Sequence, residues 1–255
     1  MDRFNLKNKI ILITGGSGFF GKQIIKALLE KKAKVINLDE KSCGILNKNY
    51  FFYKTNILNE SELNVIYKKI INKFNKINVI INNAAIDYKP NQKNTLKKGF
   101  FETTIEKWNQ EIAVGLTGSF LVTKIFSKNM IKNKKGIILN IASDLSVIAP
   151  DQRLYKHLNS HKPVTYSVIK HGIVGFTKYL AAYFASYNIR VNSLSPGGIF
   201  NNQDKKFVKK IRELIPLNRM AKKNEYKEII QFLCSDASSY MTGQNILIDG
   251  GRSII

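Results

Sequence analysis

The chain is expected to fold as one α/β unit, a doubly wound parallel sheet of about seven strands held between two helix layers. Two observations carry this expectation. Short apolar runs and amphipathic helical stretches alternate along all 255 residues, the order that builds right-handed βαβ units. The apolar runs are also continuous rather than alternating, as strands covered on both faces must be.

The first strand covers residues 9–14, the run KIILIT, and residues 19–31 follow with helical spacing. Strands come next at 33–38 and 50–54. Over residues 61–74, Leu63, Ile66, Tyr67, Ile70, Ile71 and Phe74 share one helical stripe. A fourth strand spans 77–82, and residues 87–99 read as a polar loop without periodicity. One long helix is expected over 105–133, apolar across so wide a face that it packs against more than the sheet. The fifth strand is 136–141; after a loop, a second long helix covers 166–187. A strand at 189–194, short helices at 205–214 and 225–234, and a last strand at 245–248 complete the series. No repeat, linker or composition break divides the chain, so residues 1–255 are read as a single domain.

Composition narrows the function. Hydrophobic residues make up 44% of the chain, enough for a sizeable core. No apolar stretch approaches the roughly 20 residues that cross a bilayer. The polar N-terminal segment runs straight into a strand, so no secretory signal is expected and a cytoplasmic location is. Cys43 and Cys234 are the only cysteines; they read as free thiols and have no metal-ligand spacing around them. The net charge of +23 comes from lysines scattered singly or in pairs among Asn and Ile. That pattern reads as compositional bias rather than a patch for nucleic acid or membrane, with help in recruiting an anionic substrate as the alternative.

The first strand ends in Thr14-Gly15-Gly16-Ser17-Gly18-Phe19-Phe20-Gly21. Glycines between a first strand and a first helix let the backbone turn tightly and approach a pyrophosphate resting on the helix N-terminus. Gly15, Ser17, Gly18, Phe20 and Gly21 are therefore candidate cofactor residues of a Rossmann-type dinucleotide site. Asp39, at the end of the second strand, is placed to accept hydrogen bonds from the adenosine ribose. Its charge opposes the extra phosphate of NADP, so NAD is the expected cofactor and NADP the less favoured one.

Tyr166-Ser167-Val168-Ile169-Lys170 sets a tyrosine and a lysine one helical turn apart on one face. A nearby ammonium favours the phenolate and lowers the tyrosine pKa. Tyr166 can then exchange a proton with an alcohol or carbonyl while hydride moves to or from nicotinamide. Ser143 ends the fifth strand at the ligand-binding edge of the sheet, where it can orient the reacting oxygen. Ser195-Pro196-Gly197-Gly198 turns at the same edge, suited to hold the nicotinamide amide by backbone groups.

Two further stretches complete a pattern. Asn82-Asn83-Ala84-Ala85 is similar to the NNAG motif of the short-chain dehydrogenase/reductase family, and residues 238–244 through Asp249-Gly250-Gly251 resemble its C-terminal signature. With the glycine turn and the Tyr-x-x-x-Lys pair, the resemblance covers residues 9–251. It implies catalytic roles for Ser143, Tyr166 and Lys170, with Tyr166 and Lys170 also at the nicotinamide ribose. It implies an adenine contact at Asn56 and Ile57, cofactor contacts at Asn83, Ala84, Ala85, Pro196, Gly197 and Ile199, and a homodimer or homotetramer. Three departures stand out. Phe19 occupies the middle glycine position of the usual TGxxxGxG, and Gly18 gives a TGxxGxxG spacing instead. Gly115 stands where the family usually has an asparagine that holds a water in the proton relay. Ala85 replaces the last glycine of NNAG.

The interval between Ser143 and Tyr166 is long and carries Asp151, Gln152, Arg153, Tyr155, Lys156, His157, His161 and Lys162. It is expected to cover the site, with Asp151, Gln152, Arg153 and Tyr155 as candidate substrate contacts for a polyol or sugar. A solvated loop without substrate contact is the plainer reading. Together with residues 163–170 and 195–203, this loop resembles a bacterial subgroup accompanying surface-polysaccharide and flagellin-glycosylation genes. That resemblance implies a small-molecule aminosugar precursor, as of a nonulosonic acid. A 3-oxoacyl-carrier-protein-type reductase and a non-catalytic NAD(H)-sensing protein remain as alternatives.

Overall fold

A computed structural model describes residues 2–87 and 99–255. The polar loop expected at 87–99 lies almost entirely outside these residues. Among the described residues, seven strands form one parallel sheet in the order β3-β2-β1-β4-β5-β6-β7. They are β1 Ile10–Thr14, β2 Lys34–Asp39, β3 Tyr50–Lys54, β4 Val79–Asn82, β5 Gly136–Ile141, β6 Ile189–Pro196 and β7 Asn245–Ile248. The helices are α1 Phe19–Glu30, α2 Glu60–Phe74, α3 Ile105–Ile112, α4 Gly118–Lys132, α5 Val164–Phe184, α6 Lys205–Glu213 and α7 Lys227–Leu233. Among the described residues, no helix is long and apolar enough to cross a membrane.

Alternate residues of each strand serve the two faces. Ile10 and Leu12 join the layer of α2, α4 and α5, through Leu63, Ile66, Val122, Phe126 and Leu180. Ile11 and Ile13 join the layer of α1 and α7, through Ile24, Leu28, Ile230 and Leu233. Each such side chain, fully removed from water, contributes roughly 1.5–3 kcal/mol. Both faces being covered accounts for the continuous apolar runs.

The long helix expected over 105–133 is interrupted. A π-helical turn at Ala113–Thr117 separates α3 from α4. Helix α5 starts two residues earlier than the periodicity suggests and passes at its end into a 3₁₀ turn, Ala185–Tyr187. Three short 3₁₀ turns, Asp144–Ser146, Gln152–Leu154 and Lys156–Leu158, organise the interval that leads to α5.

A buried chain of hydrogen bonds sets α5 against the sheet. Asn82 Nδ2 donates to Asn140 Oδ1 at 2.8 Å and to Thr123 Oγ1 at 3.0 Å. Asn140 Nδ2 donates to Thr177 Oγ1 at 2.8 Å. β4, β5, α4 and α5 are thus tied at one depth, just beneath the carboxyl edge. Removing a partner inside such a chain strands buried polar groups, at roughly 1–3 kcal/mol each. Asn140→Ala should therefore lower stability by about 2 kcal/mol, read as a lower urea midpoint at unchanged slope.

Candidate active site

The carboxyl edge of the sheet opens into a cleft of about 720 Å³. Gly15 begins the turn after β1 with a φ of +64°. A Cβ there would lie 2.7 Å from the Ala84 Cα, and one on Gly21 would lie 2.4 Å from the Gly15 carbonyl oxygen. These two glycines are required by the close approach of backbone to backbone. Gly18 differs: it is exposed, and an added Cβ would meet only the Gly15 oxygen, at 3.3 Å. It caps α1 without any side-chain hydrogen bond. The first amides of α1 thus face the cleft without a competing side chain, a cradle that fits a pyrophosphate. Phe19, in the family's middle glycine position, lines the cleft, with Lys223 Nζ 5.5 Å from its ring centroid.

Asp39 is fixed by its neighbours. Oδ2 accepts the Ser17 N–H at 2.9 Å and Oδ1 the Lys41 N–H at 3.2 Å. Asp39 and Glu40 both line the cleft, as do Asn56 and Ile57. Asn83 Nδ2 donates to the carbonyls of Thr14 and Gly15, at 3.1 and 2.9 Å. Asn83, Ala84 and Ala85 line the same cleft, as do Pro196, Gly197 and Ile199. Gly15, Gly18, Phe20 and Gly21 line it too. Ser17 does not: its N–H serves Asp39 and its hydroxyl donates to the Lys41 carbonyl.

Ser143, Tyr166 and Lys170 all line the cleft. Lys170 Nζ donates to the Ile141 carbonyl at 2.8 Å. Burial pushes its pKa down to about 8, Asp87 opposing and Lys162 assisting. The Tyr166 phenol does not show the lowered pKa expected beside an ammonium: burial raises it to about 12, with Lys162 and Ser143 lowering it and Asp87 and Asp144 raising it. Ser143 Oγ donates to Asp144 Oδ1 at 2.8 Å and accepts the Leu145 N–H at 3.2 Å. Asp144 is itself locked in a buried ion pair with Arg252, at 2.8 Å.

The interval between Ser143 and Tyr166 does cover the cleft, but by other residues than its polarity suggests. Tyr155 and Lys162 reach the wall; Asp151, Gln152 and Arg153 do not. Asp151 and Arg153 pair with each other at the surface, at 2.7 Å. Gln152 clasps the Lys162 backbone, accepting its N–H at 2.9 Å and donating to its carbonyl at 3.1 Å. Tyr155 stacks at a tilt on Phe207, with ring centroids 5.4 Å apart, in a small core with Leu154, Ile211, Ile215 and Met220. The lining beneath this cover is therefore mixed: Leu145, Tyr155, Phe207, Ile211 and Met220 beside Asp87, Lys162, Asn201 and Gln203.

Sequence reasoning missed Asp87, Asp144, Lys162 and Arg252 as site residues. Each is recognised only through a partner distant in sequence, so no local spacing could single it out. Gly115 acquires a reason. A Cβ there would lie 2.5 Å from Ile169 Cγ2, so the Ile169 side chain occupies the space an asparagine would need. The two positions act as a volume exchange between the π turn and α5. Gly115→Asn should cost about 1–3 kcal/mol by overpacking, seen as a lower Tm. The double variant with Ile169→Ser should recover most of that loss, and non-recovery would refute the exchange.

A family model described as enoyl-(acyl carrier protein) reductase matches residues 20–253. The 3-oxoacyl-(acyl-carrier-protein) reductase of Thermotoga maritima is 34% identical, over 98% of this chain and 99% of its own length. The post-translational flagellin modification protein A of Campylobacter coli is 30% identical over 96% of this chain and 98% of its own. A crystal structure of a short-chain dehydrogenase from Leptospira borgpetersenii with bound NAD+ matches with a TM-score of 0.89. It is 35% identical, covering 98% of this chain and 94% of that one. With this agreement across nearly its full length, the chain belongs to the short-chain dehydrogenase/reductase family and is an oxidoreductase whose fold binds a nicotinamide cofactor.

Proposed function

We propose that this enzyme transfers hydride between NAD and a hydroxyl or keto group of a sugar or sugar phosphate, in the making of a surface-glycan or flagellin-glycan precursor. The observation that carries the NAD reading is the wall formed by Asp39 and Glu40, two carboxyl side chains where NADP would place its extra phosphate. Asp39 is held by two backbone amides, so turning it away would break both hydrogen bonds. The NAD+ in the Leptospira relative supports the same choice. For the substrate, the Lys162–Asp87 pair on the cleft wall offers a donor beside an acceptor, the combination that reads hydroxyl groups. The flagellin-modification relative points the same way.

The bound nicotinamide supplies the hydride acceptor or donor at one carbon. Tyr166 holds the proton: in alcohol oxidation its phenolate oxygen takes the hydroxyl proton as the C–H bond breaks, and in reduction it returns that proton to the new alkoxide oxygen. Ser143 orients the reacting oxygen, and Lys170 binds the ribose beside it. Asp144, neutralised by Arg252, fixes the Ser143 hydroxyl.

A second reading is a 3-oxoacyl-carrier-protein reductase. The apolar wall of Tyr155, Phe207, Ile211 and Met220 would suit an acyl chain, and the net charge of +23 an acidic carrier. Exposed Phe120 on α4 and Tyr179 and Tyr183 on α5 support a homodimer or homotetramer through these helices.

The purified protein should reduce NAD with a member of a panel of sugar phosphates, aminosugars and nucleotide sugars. Tyr166→Phe should lower that turnover by about a hundredfold or more while calorimetry shows cofactor binding retained. Reduction of an acetoacetyl-carrier thioester alone, with NADPH, would replace the first reading by the second. Asp39→Ala should shift cofactor preference toward NADP by at least about tenfold, in the ratio of kcat/KM values. Light scattering should give a multiple of the 29.0 kDa chain.

A further inference from the structure

Among the described residues, the cation nearest the Tyr166 ring is not the lysine of the Tyr-x-x-x-Lys pair. Lys162 Nζ stands 3.6 Å from the ring centroid, whereas Lys170 Nζ stands 5.6 Å away. Three constraints keep Lys162 there. Its ammonium meets Asp87 Oδ1 at 2.7 Å. Its backbone N–H and carbonyl are both clasped by the Gln152 side-chain amide. Pro163 follows and confines its backbone to extended conformations. The side chain is 13% exposed, against 55% for Asp87, so the ammonium is turned inward and its counterion faces outward.

A cation over an aromatic face is attracted by the ring's quadrupole. The attraction grows when the ring becomes a phenolate, because the negative charge spreads from oxygen onto the ring carbons. Resting on the reading of Tyr166 as the proton-transfer group, we propose that Lys162, held by Asp87 and Gln152, is a second cation of the catalytic centre. It acts through Tyr166, stabilising the phenolate from the ring face, a role separate from that of Lys170 at the ribose.

The electrostatics around the ring agree with this division. Burial acts against the charge on Lys162, yet Asp87 and the Tyr166 ring outweigh it and hold its pKa above the usual lysine range. Lys170 lies on the other side of its ordinary value, pushed down to about 8 chiefly by burial. Of the groups that lower the Tyr166 pKa, Lys162 is the largest, ahead of Ser143. The remaining groups facing Tyr166 are Asp87, Asp144 with its partner Arg252, and Lys170 on the same helix. Tyr155 faces Lys162 from the cover.

The sign is fixed. Losing the Lys162 charge removes a stabiliser of the phenolate, so the Tyr166 pKa must rise. The test is a pH titration of the NAD+-loaded protein carrying tyrosine labelled with ¹³C at Cζ, with the Tyr166 resonance assigned by its loss in Tyr166→Phe. Lys162→Met should raise the Tyr166 midpoint by about one pH unit or more, and Lys162→Arg should keep the wild-type midpoint. An unmoved or lowered midpoint in Lys162→Met overturns the proposal. If that variant does not fold, Gln152→Ala gives the second reading: a raised midpoint supports the proposal and an unchanged one overturns it. With a working substrate, the acidic limb of the pH profile for kcat in alcohol oxidation should move upward by the same amount. The resonance midpoint needs no substrate. Retained turnover in Tyr166→Phe would count against Tyr166 as the proton-transfer group without touching the Lys162 measurement.

Discussion

The contact between the turn after β1 and the end of β4 is the constraint on which the site depends. Thr14 Oγ1 accepts the N–H groups of both Asn83 and Ala84, at 3.1 Å each, and the Asn83 side chain returns two hydrogen bonds to the turn. Gly15 approaches Ala84 so closely that no side chain fits between them. This stitch brings the glycine turn, Asp39 and the strand end that carries Ser143 into one cleft. The buried Asn82–Asn140–Thr177 chain performs the matching task one layer deeper, setting α5 and hence Tyr166 and Lys170 against the same edge.

What the sequence made legible was local. The glycine turn, Asp39 and the Tyr166/Lys170 pair could be read because strand-to-helix turns and single helical turns impose short spacings. One parallel sheet between two helix layers followed from the alternation of continuous apolar runs with helical stripes, and the structure has that architecture; the order of the strands was not read from the sequence. Less accessible were the long-range pairs. Lys162 and Asp87 are 75 residues apart, and Arg252 and Asp144 are 108 apart. No periodicity brings such residues together; the crossing of separate loops at one edge does. The polar cover misled for a related reason. Its most polar residues satisfy one another or its own backbone, as Asp151, Arg153 and Gln152 do, and the groups turned to the cleft are an aromatic ring and a single ammonium.

The break in the long helix belongs to the same class. Residues 105–133 have helical spacing throughout, and nothing within that window marks the π turn at Ala113–Thr117. Its meaning lies in α5, where Ile169 enters the space above Gly115. Viewed from either helix alone, glycine is a lost relay residue and isoleucine an ordinary core side chain. Viewed together, they are two halves of one packing solution, adopted where the family commonly places a polar group.

The cover of the cleft has its own small core, apart from the two that flank the sheet. It is tied to α6 by Tyr155 on Phe207, by His157 Nε2 on Asp204 at 2.7 Å, and by Lys210 Nζ on the Arg153 carbonyl at 3.3 Å. Cover and helix are thus one cooperative patch with far less buried apolar area than the body beneath it. Patches of that kind open at lower free energy than the whole molecule. The expected consequence on warming is that the cover opens while the sheet and the glycine turn still stand, so that activity would be lost before the molecule unfolds.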